Sequence, residues 1–360
     1  MRFANDSMLI RSRNQSPPDN EIWYYAPEQV TLYSESGVKS HTFSGGKGVI
    51  TYSSAVTAVP EVLRQVTTVT DVQFPATVTS IAANAFNGCT SLALKKLPDG
   101  LTSIGHSAFY NCTNLALTEL PSGIKTLEDG AFSNCTSLAL TQLPPGLASL
   151  PNYAFSNCSS LALTALPSGV KSIGQSVFYG CTRLALSELP TSLMRIGALA
   201  FHNCHSLALT SLPEGVTSIG NGAFQNCSSI ALTSLPEGLT SIGGSAFSNC
   251  SSLALTALPE GLTSINVNTF RSCHSLALTS LPEGVTNIGN AAFESCTGLT
   301  SITFLGTPTT LDATAFKGCT KLKDIYVPWA EGEIAGAPWG ATNATVHYAG
   351  SGSGGTITWA

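Results

Sequence analysis

Charge is what this sequence has least of. Asp, Glu, Lys and Arg together make up 10% of its 360 residues, against about 25% in typical soluble domains. The formal balance of −5 leaves no basic footprint for nucleic acid and no polybasic segment for anionic lipid. No apolar run approaches the ~18 residues of a membrane span. The opening stretch MRFANDSMLIRSRNQSPPDN also lacks the apolar core of a secretory signal. Histidine is scarce, at 41, 106, 202, 205, 274 and 347, and spacing suggests a catalytic partner for none of them. There is no phosphate loop, no nucleophile elbow and no acid pair outside regular columns. The expectation is a chain that is not an enzyme, binds no nucleic acid, enters no membrane and holds no cofactor.

What is present is a period. Phe stands at 86, 109, 132, 155, 178, 201, 224, 247, 270, 293 and 316. Cys stands at 89, 112, 135, 158, 181, 204, 227, 250, 273, 296 and 319, and these are all the cysteines. Pro recurs in the same phase from 98 to 282, and Ile or Leu from 81 to 311. Self-similarity at a fixed step of 23 residues is the mark of a solenoid.

Each unit reads C-x-x-L-A-L-x-x-L-P-x-G-[LV]-x-x-[IL]-G-x-x-A-F-x-x. Leu92, Leu94 and Leu97 are too few to form a core alone, so neighbouring units must stack to bury them. Leu97-Pro98-Asp99-Gly100 reads as a type I turn with Pro at its second position. Leu101-Thr102-Ser103-Ile104 reads as a short extended stretch closed by Gly105, and Ala108-Phe109 as a turn or 3₁₀ piece. Two short extended edges and tight turns per coil predict little α-helix.

These residues resemble the BspA-like leucine-rich repeats, whose pattern is C-x-x-L-x-x-I-x-[IL]-P-x-x-[VL]-x-x-I-G-x-x-A-F-x-x. The flanking copies fit best: Val66-Thr67-Thr68-Val69 through Phe74-Pro75, Leu299-Thr300-Ser301-Ile302-Thr303-Phe304, and Leu322-Lys323-Asp324-Ile325-Tyr326-Val327-Pro328. The resemblance covers about residues 62–328 and implies a right-handed leucine-rich-repeat coil of about eleven units. Nine middle units depart from it, carrying L-A-L-x-x-L where the family has L-x-x-I-x-I. Thr118, Thr141, Thr164, Thr210 and Thr233 then stand at the family's apolar position. A one-residue shift exchanges the faces of a strand, so the strand there is expected to be short, bulged or irregular.

The columns have a structural reading. A file of cysteines points its sulfurs in parallel, whereas zinc needs ligands converging on a point and a disulfide needs a dihedral that parallel side chains meet poorly. Cys112, Cys135, Cys158 and Cys204 therefore read as buried ladder residues. Phe109, Phe132, Phe155 and Phe201 read as an aromatic spine. Glu214, Glu237, Glu260 and Glu283 form an acidic column in an exposed turn and need no calcium. His202, Cys204 and His205 imitate a metal motif but are column members or substitutions at variable positions. The N-C-[ST] triplets at Asn111, Asn134, Asn157, Asn226 and Asn249 match glycosylation acceptors, yet they come from the repeat consensus.

The expected organisation is a disordered or attachment segment at 1–20, a small β-rich cap or docking module at 21–61, the solenoid at 62–328, a C-terminal cap at 329–349 and a flexible linker and tail at 350–360. Trp329 and Trp339 are expected to seal the last coil, with a glycan-stacking role as the alternative. The tail beginning YVPWAEGEIAGAPWG resembles those that follow such repeats in bacterial and prophage proteins. The family resemblance implies recognition: adhesion through the solenoid surface to a protein or glycan on a cell surface. The alternatives are a bacteriophage virion component that meets other virion proteins, and an intracellular interaction scaffold. The expected place is accordingly an extracellular surface or a virion. Contact candidates are Lys96, Glu119, Gln142 and Glu188, from a stripe that varies most in the N-terminal half, together with Trp329 and Trp339.

Overall fold

A 23-residue step can stack only if every coil returns its backbone groups to register, and the strands do so. The structure, a computed structural model, describes residues 15–349. The expected tail 350–360 and most of the expected leading segment 1–20 lie outside the described residues. The chain forms two units, Met1–Ala162 and Leu163–Ala360, each a solenoid of short strands and turns.

The first unit opens with β1 (Glu21–Tyr25), β2 (Val38–Ser44), β3 (Lys47–Tyr52), β4 (Ala58–Val59), a 3₁₀ turn at Glu61–Leu63 and β5 (Asp71–Gln73). β2 and β3 pair antiparallel around Gly45-Gly46. Both glycines have positive φ, 58° and 81°, as a two-residue hairpin turn that follows the strand twist requires. β1 pairs with β3 and also with β5, so the hairpin module and the first coil share one sheet. The coils then supply β6 (Ser80–Ile81), β7 (Ser103–Ile104), β8 (Thr126–Leu127) and β9 (Ser149–Leu150). β4, β6, β7 and β8 pair in parallel, with Ile81 opposite Ile104 and Ile104 opposite Leu127.

The second unit repeats this with β10 (Ser172–Ile173), β11 (Arg195–Ile196), β12 (Ser218–Ile219), β13 (Ser241–Ile242) and β14 (Ser264–Ile265). Then come β15 (Ser280–Leu281), β16 (Asn287–Ile288), β17 (Ser301–Phe304), β18 (Thr310–Leu311), β19 (Asp324–Val327) and β20 (Thr345–Tyr348). β10 to β13 form one parallel ladder, and β14, β16 and β18 another. β15, β17, β19 and β20 form a second column on the Leu-rich side of the coil.

That second column follows the sequence departure. It has four-residue strands where the flanking coils keep an alternating pattern, Ser301–Phe304 and Asp324–Val327. It has no strand across the L-A-L-x-x-L stretches from Leu92 to Leu258. Leu115, Leu117 and Leu120 are all buried, so alternation holds for two and then slips by one residue. One regular bond survives in several coils, as between the Ala231 N–H and the Leu209 carbonyl at 2.9 Å. The Pro turn also closes one residue later than the sequence reading places it. Leu101 N–H donates to the Pro98 carbonyl at 3.1 Å, making Pro the first corner, because Leu97 is still engaged in the core.

Glycine is required where coils approach most closely. A Cβ on Gly220 would lie 2.4 Å from the Ala198 nitrogen, closer than any non-bonded carbon sits. Two further positions in most coils take left-handed backbone, one before Cys and one five residues before it. The second is filled by Ser107, Tyr153, Ser176, Leu199, Ser245 and Asn268 among others.

The core is the Phe file. In the first unit Phe86, Phe109, Phe132 and Phe155 stack with centroids 5.2, 5.3 and 5.6 Å apart. In the second, Phe178 to Phe316 stack at 5.2–5.7 Å. Phe74 and Phe304 close these files edge-on, at interplanar angles of 80° and 75°. Every column phenylalanine in the two files has 0% exposure. Phe201→Ala should therefore cost ~3–5 kcal/mol, read from the urea midpoint; an unchanged midpoint contradicts this packing. In the same unit Leu199 holds φ at 56°, unfavourable for a branched residue. Leu199→Asn should raise stability by about 1 kcal/mol in the same assay.

Candidate functional site

The chemically richest column is also the most deeply buried. All eleven cysteines are free and buried. Each sulfur whose bond is resolved donates to the carbonyl 26 residues earlier. Cys112 reaches Phe86, Cys135 reaches Phe109 and Cys158 reaches Phe132, each at 3.0 Å. Cys204 reaches Phe178 in the second unit, also at 3.0 Å. The same carbonyls accept the N–H of the Cys in their own coil, as Phe109 does from Cys112 at 3.1 Å. The thiol therefore satisfies a second lone pair that would otherwise be stranded in the core, a donor role that the packing argument alone had not supplied. Its only sequence signal is that Cys, rather than Ala, fills every copy.

Burial pushes these thiols up. Cys158 and Cys227 rise to about 12, and Cys112, Cys135 and Cys204 stand well above the ordinary value for the same reason. A thiol that stays protonated has neither the nucleophilicity nor the ligand character of a thiolate.

His202, Cys204 and His205 diverge. Cys204 points into the core. His202 stacks on Tyr179 at 4.8 Å, and burial lowers its pKa, partly offset by its hydrogen bond to Gln225. The exposed His205 bonds through Nδ1 to the Asn226 carbonyl at 2.9 Å. Among the described residues, no group of three or more His, Cys, Asp and Glu is placed to hold a metal ion. Glu214, Glu237, Glu260 and Glu283 are exposed in their turns.

The asparagines before Cys form amide ladders that the glycosylation reading had not anticipated. Asn157 donates to the Asn134 carboxamide oxygen at 2.9 Å, and Asn226 to Asn203 and Asn249 to Asn226 at 2.7 Å each.

Lys96, Glu119 and Gln142 are exposed in the first unit and Glu188 in the second, all on the irregular x-x-L stretch. Lys96 pairs with Asp99 at 2.9 Å. It also lines a cleft of about 750 Å³ walled by residues 15–17, 70–76 and 93–100. Pro17 closes one side, and Asp71, Gln73, half-buried Phe74, Lys95 and Asp99 furnish the rest. Gln73 is held by the Tyr25 hydroxyl at 3.1 Å. The cleft was not legible in the repeat, because residues 15–17 come from outside it.

Trp329 and Trp339 take the sealing position and not the contact one. They are 3% and 0% exposed, packed on Phe304 at 5.2 and 6.1 Å, and Trp339 Nε1 donates to the Ala335 carbonyl at 3.0 Å. Neither ring presents a face on which a sugar can stack, because the last coil has no following Phe and uses the indoles to cover its core.

The thiols make stability depend on pH. An unfolded thiol ionises near its ordinary value of 9.0, whereas the folded ones resist to far higher pH. Their contribution is therefore fully present below about pH 9 and lost as pH rises further. The urea midpoint should be flat from pH 7 to 8 and fall from pH 9 to 10.5, less steeply in Cys135→Ala; a flat curve throughout contradicts the assignment.

Comparison with known proteins agrees with this architecture. The model of the BspA type leucine rich repeat region (6 copies) matches residues 60–185, 148–277 and 251–334. A leucine-rich repeat protein from Bacteroides ovatus superposes with a TM-score of 0.63 at 23% identity, covering 93% of this chain and 100% of its own. A leucine rich cell surface protein from Faecalibacterium prausnitzii gives 0.53 at 27% identity, with 85% and 97% covered. No curated protein matches the sequence significantly. With the family's repeat running through well over half of its length, the chain belongs to the BspA-type leucine-rich repeat proteins.

Proposed function

We propose that this protein is a non-enzymatic recognition scaffold of the cell surface, binding a protein or glycan partner through exposed positions on its coils. The observation that carries this reading is the division of labour within the repeat. The Phe, Cys, Leu and Gly columns are committed to the core and to coil-to-coil contact, while the x-x-L positions vary freely at the surface. Lys96, Glu119 and Gln142 hold a cation, an anion and an amide at equivalent positions of successive coils, and Lys96 lines the cleft. A solenoid presents such positions on a rigid frame. The 27%-identical structural relative named a cell surface protein supports the placement.

Two experiments test it. Surface biotinylation of intact producing cells should label the protein; recovery only from cytosol, or only from sedimentable particles rich in capsid proteins, overturns the cell-surface reading. Immobilised protein should capture a partner from a panel of extracellular-matrix proteins and glycans. The triple substitution Lys96→Ala, Glu119→Ala, Gln142→Ala should weaken that capture by about tenfold, about 1.4 kcal/mol, while the melting temperature barely moves, as is usual for exposed positions. Undiminished capture would move the contact face elsewhere.

A further inference from the structure

The hairpin module ahead of the coils holds a side-chain arrangement that lies outside the 23-residue repeat. β1, β3 and β2 run side by side, with Tyr24 opposite Gly48 and Gly48 opposite Phe43. Facing alternates along a strand, so His41 stands on the same face as Phe43. A Cβ on Gly48 would collide with the Tyr24 ring; the missing side chain lets that ring lie across β3. It stacks on the Phe43 ring of β2, 6.2 Å away at 24°. Its hydroxyl meets His41 Nε2 at 2.7 Å. One phenol thus bridges β3, from β1, which β3 and β5 hold on both sides, to β2, which is the edge of the sheet.

The protons at this contact follow from burial. Tyr24 is 0% exposed, and burial keeps its phenol protonated. Its oxygen already accepts the Val30 N–H at 3.3 Å. The phenol proton therefore goes to His41 Nε2, which offers a lone pair only in the neutral ring that carries its hydrogen on Nδ1. An imidazolium donates from both nitrogens. Protonating the half-buried His41 turns the acceptor into a second donor, and the phenol proton is stranded in the interior, which is costly.

The neighbouring groups do not reverse this. β3 sets Ile50 opposite His41 and Tyr52 two residues on, and burial pushes the Tyr52 phenol up, so it stays neutral. Lys47 turns away, over the Trp23 ring. The loop after β1 brings Glu28 and Glu35, and β2 itself carries Lys39, all three exposed. Burial lowers the His41 pKa from its ordinary 6.5, outweighing the Glu35 charge, which favours the imidazolium. A folded-state value below the unfolded one leaves the contact complete above the ordinary value and weakens it as pH falls through that value.

We propose that the Tyr24–His41 contact is a proton-sensitive latch, which holds the edge strand β2 on its sheet at neutral pH and lets it part from β3 in mild acid, while β1 stays with the first coil. Hydrogen–deuterium exchange of the full chain at about pH 7.5 and about pH 5, corrected for the intrinsic pH dependence of exchange, tests this. Amides of Val38–Ser44 should lose about tenfold in protection in acid, the order expected when a buried hydroxyl loses its acceptor. Those of Glu21–Tyr25 and of the coils should keep theirs. His41→Gln, whose carboxamide oxygen accepts the phenol proton and does not titrate, should protect β2 equally at both pH values. Tyr24→Phe should loosen β2 already at neutral pH and leave the coils unchanged. Imidazole nitrogen NMR should find the His41 hydrogen on Nδ1 at neutral pH. Equal protection of native β2 at the two pH values, an acid loss that persists in His41→Gln, or a loss shared by β1 and the coils overturns the proposal. So does a Tyr24→Phe chain as protected at β2 as the native one, or a His41 hydrogen found on Nε2.

Discussion

One carbonyl per coil holds the fold together, that of the column phenylalanine. Phe109 illustrates it: its oxygen takes the Cys112 N–H of its own coil and the Cys135 thiol of the next, while its own N–H donates onward to the Ala131 carbonyl at 2.9 Å. Its ring meanwhile lies on Phe86 and Phe132. Backbone satisfaction and aromatic packing thus meet at the same residue, deep in a core where an unpaired polar group is costly. The alternatives are limited. A larger residue than Cys would push the coils apart, alanine would leave the carbonyl half-satisfied, and serine would carry a more strongly hydrated hydroxyl into the core. The left-handed asparagine, serine and glycine positions on either side make the turn tight enough for the geometry to recur.

This constraint explains why so much of the architecture was legible in the sequence. A period of 23 residues with Phe and Cys in fixed phase leaves a solenoid as the physical solution, and the Ser-Ile pairs fell where two-residue strands form. The L-A-L-x-x-L departure was legible too, because a one-residue slip in alternation removes the strand that Ser301–Phe304 and Asp324–Val327 retain. Other details escaped. The Pro turn closes at Leu101, which only the hydrogen bond reveals. The thiol's role as donor depends on a carbonyl 26 residues away in sequence. Trp329 and Trp339 read equally well as contacts or as seals until their burial is known.

The binding surfaces were less legible, for a physical reason. Core positions repeat because every coil meets the same neighbours, so one sequence contains many readings of the same constraint. An exposed position meets solvent, and its identity reports on a partner that is not part of the chain. Lys96, Glu119 and Gln142 stood out only as variety. The scaffold separates this face from the packing that supports it, so it can change without loss of the fold.

Hydrogen–deuterium exchange of the native protein, resolved to single amides by fragmentation, tests the central claim most directly. If the phenylalanine column is what binds coil to coil, the amides of Phe109, Phe132, Phe224 and Phe247, each donating to the next coil at 2.8–2.9 Å, exchange slowest. Those of the strandless stretches, such as Thr118 and Glu119, exchange orders of magnitude faster. Comparable protection at both would show that the coils are held by something other than the phenylalanine file, and the account would be wrong at its base.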